Sequence, residues 1–227
     1  MVTLRSFHRW HAIAMSVVVL MASISGLVHT WMAHNQAAPP PPRPTDPVDL
    51  TQVRIAPSAL PGPATAVNLR TIGTTPWWQV LPEGGGAPRW FNAVTGAEDV
   101  DADARYAQGI AEGHLHQPVR KTAFLTSFDQ EYLPIFRLLP VYRFDADDAL
   151  HTRVYVSTLT GSVARHTDDP RQREATIFVV FHKWGFIKDR QVRDIALMTA
   201  MAGLVVLAGS GLWLAVATRR RTRSESP

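Results

Sequence analysis

Two long apolar runs without a single charged residue constrain the fold of this chain more than any other feature. Residues 12–33 read AIAMSVVVLMASISGLVHTWMA, and residues 195–218 read IALMTAMAGLVVLAGSGLWLAVAT. At about 1.5 Å per residue, a helix of either run crosses a hydrocarbon core about 30 Å thick. The sequence therefore predicts two transmembrane helices, one near each end of the chain, with the lipid bilayer as their partner.

The first run also has the basic flank of a secretory signal, because Arg5 and Arg9 precede it. It is longer than the usual apolar region of such a signal, and no small-x-small cleavage site follows Trp31. A retained helix is therefore favoured over a cleaved one. The second run carries small residues that let membrane helices approach closely, namely Gly203, Gly209, Ser210 and Gly211.

Flanking charges predict the orientation. The first run is preceded by arginines and is followed by no Lys or Arg until Arg43, which places residues 1–11 in the cytoplasm. The second crossing returns the basic tail, 219–227, to the same side. The net charge of +4 and the pI near 9.8 come largely from such membrane-flanking residues, so the charge does not indicate nucleic acid as a partner.

The region between the runs begins with a proline-rich stretch, residues 34–48, that contains AAPPPPRPTDP. Proline fixes φ and lacks the N–H donor, so this stretch is interpreted as a stiff, extended spacer. Recognition by a proline-binding domain is the alternative. The chain has no cysteine, which excludes disulfides, thiolate metal sites and a cysteine nucleophile.

A weak internal repeat follows the spacer, with an offset of 64 residues. The matched positions are Pro76, Trp78, Val80 and Arg89 in the first copy and Pro140, Tyr142, Phe144 and Arg153 in the second. Each copy alternates large and polar residues on both sides of a loop and ends in Thr-Gly, which is typical of a β-hairpin. Helical patterns at 101–114 and 169–184 complete an α+β prediction with antiparallel strands.

Several motifs in order resemble the PepSY-associated transmembrane family. They are FHRWHAIAMSVVVLMASISGLV at the start, then LPVYRF, RVYVSTLTGSVARH and RQREATIFVVFHKWGFI, and then the glycine-rich run that ends in arginines. The resemblance is strongest over 1–32 and 134–218. It implies a multi-pass protein of the bacterial inner membrane with both termini cytoplasmic. Two PepSY-like units, 49–118 and 119–170, would be periplasmic, and a juxtamembrane helix would span 171–194.

Larger members of that family are linked to iron or siderophore reduction through b-type haem held by membrane histidines. This chain has two apolar runs rather than four or more, and it shows no flavin or nicotinamide fingerprint, because Gly84, Gly85 and Gly86 lie in a hairpin loop. The resemblance therefore implies an electron-transfer subunit that works with a separate donor, not a complete reductase.

The histidines of the apolar runs are the candidate haem ligands, because an ionisable residue at membrane depth is costly. His11 and His29 are eighteen residues apart, which is five helical turns, so they share one face about 27 Å apart. Small residues on that face, Ala14, Ala22, Ser25 and Gly26, leave room for a porphyrin or a second helix. His182 precedes the second run and would meet His29 in the outer leaflet.

We therefore expect His29 and His182 of one chain to ligate the haem iron, whereas His11 would need His11 of a second copy, which predicts a homodimer. The alternative is that these histidines lie at the membrane interface beside tryptophans, and this is the favoured interpretation for His8 and His34. His114 and His116 form an HLH pair that could bind a metal, although a surface pair is favoured.

Two functions remain open at this stage. The first is a haem-b electron-transfer subunit whose PepSY-like domain offers a surface to the substrate or to a membrane or periplasmic redox partner. The second is a non-enzymatic envelope module whose PepSY-like domain binds or inhibits a periplasmic protease or another partner. No hydrolytic arrangement of residues is recognisable in the sequence.

Overall fold

A computed structural model of the chain describes residues 2–41 and 47–224. It has two long apolar helices, one near each end, that flank a sheet-containing region, so the α+β prediction is confirmed. The residues form two compact units, which we call the middle unit (Ala37–Asp169) and the end unit (Met1–Gln36 with Pro170–Pro227). Part of the predicted spacer, residues 42–46, and the last residues of the predicted tail, 225–227, lie outside the described residues.

The middle unit contains two antiparallel sheets. The first sheet has the order β1-β2-β3, with β1 at Ala64–Ile72, β2 at Thr75–Pro82 and β3 at Arg89–Asn92, and it is followed by α2, Ala102–Leu115. The second sheet has the order β4-β5-β6-β7, with β4 at Val119–Leu125, β5 at Val141–Ala146, β6 at Arg153–Ser157 and β7 at Ser162–Thr167. A short helix, α3, follows at Asp169–Ile177.

The predicted repeat corresponds to matching elements in the two halves. Residues 78–80 lie in β2 and residues 142–144 lie in β5, so the prediction that both segments are strands is confirmed. The following strands, β3 and β6, match at the same offset. The halves differ after the Thr-Gly turn, where the second half forms β7 and the first half forms only an isolated bridge between Phe91 and Glu98.

Helix α2 joins the two sheets into one unit. Ala107 and Ala111 are fully buried in a cluster with Phe144 and other residues of the second sheet, while Ala102 and Tyr106 pack in a cluster with Trp90 of the first sheet. Small alanine side chains let the helix approach both sheets closely. The two repeat halves therefore share one helix and do not fold as separate domains.

A buried arginine ties the second sheet to its neighbouring segments. Arg153, whose side chain is 9% exposed, lies 2.9 Å from Glu131 and 2.7 Å from Asp169. The Tyr155 hydroxyl donates a hydrogen bond to the same Glu131 carboxylate at 2.6 Å. Burial first, and then the nearby Glu131, raise the pKa of Tyr155. This network satisfies the arginine charge, which would be costly if it were buried alone.

The end unit contains α1 (Val2–His34), α3, and α4 (Arg190–Ser224). By length and composition alone, α1 and α4 are long and apolar enough to cross a membrane, and most of their large apolar side chains are exposed. The helix expected over 171–194 is interrupted, because α3 ends at Ile177, a π turn covers Phe178–His182, and α4 begins only at Arg190.

Helices α1 and α4 pack through small residues of α4. A Cβ atom added at Gly203 would lie 2.8 Å from the Met15 sulfur, and one added at Gly211 would lie 3.1 Å from Cε1 of His8. Nothing lies within 4 Å of the corresponding position at Gly209. Glycine at 203 and 211 therefore permits the close approach, as expected for membrane helices.

Acidification should weaken the middle unit through Asp169. Hydrogen bonds from Arg153 and then His151 lower the pKa of Asp169 from 3.8 to about 2. A carboxylate with a depressed folded pKa stabilises the protein above its ordinary pKa, and this contribution is lost as the pH falls through the folded pKa. We expect the difference in thermal unfolding midpoint between wild type and Asp169→Asn to be largest above pH 4 and to shrink towards pH 2. Asp147→Asn is the control, because Asp147 is exposed and has no ion pair among the described residues. If the difference in unfolding midpoint between wild type and Asp169→Asn did not change with pH, the expectation would be wrong.

A larger side chain at Gly203 should separate α1 from α4. We expect Gly203→Leu to destabilise the end unit by about 1–3 kcal/mol, the usual cost of overpacking. Gly209→Leu has open space around it, so its effect should stay within about 0.5 kcal/mol. Unfolding in mixed micelles, titrated with SDS and followed by tryptophan fluorescence, measures both. Equal stability of the two variants would show that the helices do not pack along Gly203.

Candidate functional site

A π turn positions the first candidate ligand. After α3 the chain forms one π turn, Phe178–His182, and closes it with hydrogen bonds from Lys183 N–H to the Phe178 carbonyl (3.3 Å) and from Gly185 N–H to the Val179 carbonyl (2.9 Å). A Cβ at Gly185 would lie 2.8 Å from a Val179 methyl carbon, so only glycine fits there. Such single π turns occur frequently at functional sites.

The structure brings His29 and His182 to the same aromatic ring. The His29 ring centroid lies 4.8 Å from that of Phe178, and the His182 ring stacks on Phe178 at 4.6 Å. The two histidines are far apart in sequence and come from α1 and from the π turn. The expectation that they meet at one end of the helices agrees with this placement, with Phe178 in contact with both.

The Ser25 hydroxyl contacts the His182 ring. The Ser25 hydroxyl donates to the Ala22 carbonyl at 3.0 Å and lies 3.1 Å from Nδ1 of His182. A hydroxyl has one proton, so when that proton goes to Ala22, the Ser25 oxygen accepts a hydrogen bond from Nδ1–H. The neutral His182 ring then presents Nε2 as a bare nitrogen, and Nε2 makes no hydrogen bond to any described residue.

His29 has a carboxylate beside it. Nδ1 of His29 is buried and lies 2.8 Å from Oε1 of Glu174, an ion-pair distance, although the geometry is not that of a hydrogen bond. The other Glu174 oxygen accepts a hydrogen bond from the Gln36 amide at 2.6 Å. A nearby carboxylate favours the positive charge that an imidazole gains on metal binding. Glu174 had no place in the sequence prediction, because nothing in RQREATIF sets it apart.

At the other end of α1, the structure distinguishes His11 from His8. Nε2 of His11 lies 2.7 Å from the Gly203 carbonyl, which can only accept, so Nε2 carries the proton. Nδ1 of His8 lies 2.8 Å from the Ser210 hydroxyl, which also contacts the Leu207 carbonyl at 3.0 Å. His8 thus repeats the serine arrangement of His182, and its Nε2 makes no hydrogen bond to a described residue. This geometry favours His8 over the predicted His11 as a ligand.

The prediction that His114 and His116 form a surface pair is wrong for His114. His114 is buried near the end of α2, where burial first, and then the neighbouring His116, lower its pKa. Its Nε2 lies 3.2 Å from Nδ1 of His166 on β7. His116 instead ends the helix with φ of 55°. The spatial partner of His114 is 52 residues away in sequence, so the HLH pattern could not reveal it.

This His114 and His166 contact lies at a cavity of about 620 Å³ between β1, α2 and β7. Its residues come from separate elements and form no contiguous motif, so no local sequence pattern indicates it. Within the parts of the chain that the structure describes, no group of three or more His, Cys, Asp or Glu side chains is placed to hold a metal ion.

Comparisons with known proteins leave the family open. The chain matches no protein-family model, no curated protein and no solved structure. The PepSY resemblance and the haem that it implies therefore stay predictions, and the case for function depends on the geometry of the residues themselves.

Proposed function

We propose that this protein is an inner-membrane electron-transfer subunit that binds b-type haem between His29 and His182 and serves iron or siderophore reduction outside the cytoplasm. The family resemblance supplies the reaction class and the haem type. The single observation that carries the proposal is the convergence of His29 and His182 on Phe178, with Nε2 of both rings free of hydrogen bonds to described residues.

His29 and His182 would be the residues that hold the haem, since imidazole is a common protein ligand of haem iron. Ser25 orients the His182 ring through Nδ1, and Glu174 stabilises positive charge at His29. Phe178 contacts both rings and so holds them at one place in the end unit. When bound, the haem supplies one-electron transfer, and the protein supplies ligands and an apolar environment.

The proposed topology places both termini in the cytoplasm and the middle unit in the periplasm, because basic residues flank α1 only at its start. We expect an alkaline-phosphatase fusion after residue 160 to be active and one after residue 224 to be inactive. Activity of the C-terminal fusion would contradict this orientation.

A second candidate function is favoured by the cavity of the middle unit. A non-enzymatic envelope module needs a binding surface outside the membrane, and the cavity between β1, α2 and β7 offers one with basic and apolar residues. In this function α1 and α4 act as membrane anchors for a domain that binds a protease or another partner. Haem is not involved, so the visible spectrum distinguishes the two candidates.

Substitution of the ligands tests the leading proposal. We expect the full chain, expressed with haem supplied and purified in detergent, to show a reduced-minus-oxidised spectrum of b-type haem. His29→Ala and His182→Ala should each remove the haem of this site, because each deletes an axial ligand. Ser25→Ala should weaken haem retention by about 10- to 100-fold, the usual effect of losing a group that orients a ligand.

His34→Ala is the matched control, since His34 lies on the same helix, is exposed and makes no side-chain hydrogen bond or ion pair with a described residue. It should keep the wild-type haem content. If the wild-type chain carries no haem, or if the His29 and His182 variants keep the same spectrum as His34→Ala, the haem proposal is wrong.

A further inference from the structure

The cavity of the middle unit has a pronounced charge asymmetry. Its lining includes three arginines and two histidines, which are Arg70, Arg105, Arg165, His114 and His166. None of the described residues that line it is acidic. A concave site of this size, within the range of about 300–1,000 Å³ typical of ligand pockets, combines here with a field that favours a negative charge.

Arg70 is the arginine best placed to meet a ligand. Arg105 is paired with Asp99 at 2.7 Å. The guanidinium of Arg165 lies over the ring of Phe136, a residue that does not line the cavity. Arg70 has no carboxylate partner among the described residues; its contacts are the Tyr106 ring and a long hydrogen bond of 3.5 Å to Gln79. A partly buried guanidinium without an ion pair is a strong site for a carboxylate.

The backbone at Gly161 gives Arg70 its position. A Cβ at Gly161 would lie 3.2 Å from Nη1 of Arg70 and 2.7 Å from the Tyr106 hydroxyl, and φ is +64°. Only glycine permits this approach. The Thr-Gly turn of the second repeat half, which the sequence singled out as a hairpin turn, therefore also fixes one wall of the cavity beside Arg70.

The rest of the lining is suited to an apolar ligand body. Leu69, Ile72, Ile110 and Val163 contribute aliphatic side chains, and Pro39 and Pro40 add apolar surface. Gly109 of α2 lies in the lining with nothing within 4 Å of its Cβ position, so it leaves space in the cavity. The lining thus offers the Arg70 guanidinium beside an apolar enclosure.

We propose that this cavity binds a carboxylate with an apolar body, with the carboxylate at Arg70 and the body between α2 and the edge strands β1 and β7. Such a carboxylate is either the free C-terminus of an apolar peptide or an aliphatic acid. The proposal rests on the second candidate function, that of an envelope binding module. Binding of the carboxylate in this cavity does not involve haem.

The test uses the full chain in nanodiscs, with empty nanodiscs as the blank. The probes are octanoate and N-acetylated trileucine with a free C-terminus, each compared with its neutral amide, and binding is followed by saturation-transfer NMR of the probe. We expect at least one acid to bind and its amide to bind at least tenfold more weakly. Preference for trileucine assigns a peptide terminus, and preference for octanoate assigns an aliphatic acid.

Two variants locate the site. Arg70→Gln should weaken acid binding by about tenfold or more, the loss expected for one charge-assisted contact. Gly109→Trp should abolish it by filling the cavity, since a Cβ at position 109 meets no atom within 4 Å and the indole extends from there. Arg54→Gln, an exposed arginine of the same unit outside the cavity, is the matched control and should bind as wild type.

The proposal is overturned if neither acid binds, if the amides bind equally well, or if Arg70→Gln and Gly109→Trp bind like Arg54→Gln. These outcomes are separate from the haem result, since the same variants should leave the visible spectrum unchanged. They are also separate from partner binding, which is tested by inhibition of an envelope protease with the wild-type chain.

Discussion

The contact of α1 with α4 and the π turn is the interaction on which the candidate site depends. Apolar helices in lipid gain little from hydrophobic burial, so they associate through close packing and a few polar bonds. Here glycines supply the close packing and histidine–serine pairs supply the bonds: His8 meets Ser210 near one end, and His182 meets Ser25 near the other. Each pair joins residues from opposite ends of the chain, so the helix contact assembles the site.

The same polar contacts that align the helices also orient the histidine rings. In each pair the serine hydroxyl contacts its own helix carbonyl and the histidine Nδ1, and Nε2 makes no hydrogen bond to a described residue. An ionisable residue on such a helix is costly at membrane depth and is by default a functional candidate. The geometry favours His8, which the sequence suggested was interfacial, over His11, whose Nε2 is engaged by the Gly203 carbonyl.

Sequence periodicity was enough for strands β2 and β5 and for the two long end helices, because alternation around residues 78–80 and 142–144 and the uncharged end runs are local signals. The five-turn spacing likewise placed His11 and His29 on one face, and that face contacts other helices at both ends. Local signals could not reveal Glu174 beside His29 or His166 beside His114, since these pairs form only through tertiary packing. They also missed the break between α3 and α4, which depends on the π turn and on the fit of Gly185 against Val179.

Electron paramagnetic resonance of the oxidised, haem-loaded full chain tests the central claim most directly, because it reports the axial ligands of the iron. The account predicts a low-spin ferric signal of two imidazoles in the wild type and its conversion to a high-spin signal, or its loss, in both His29→Ala and His182→Ala. A high-spin wild-type signal, or a low-spin signal that survives both substitutions, would contradict ligation by this histidine pair.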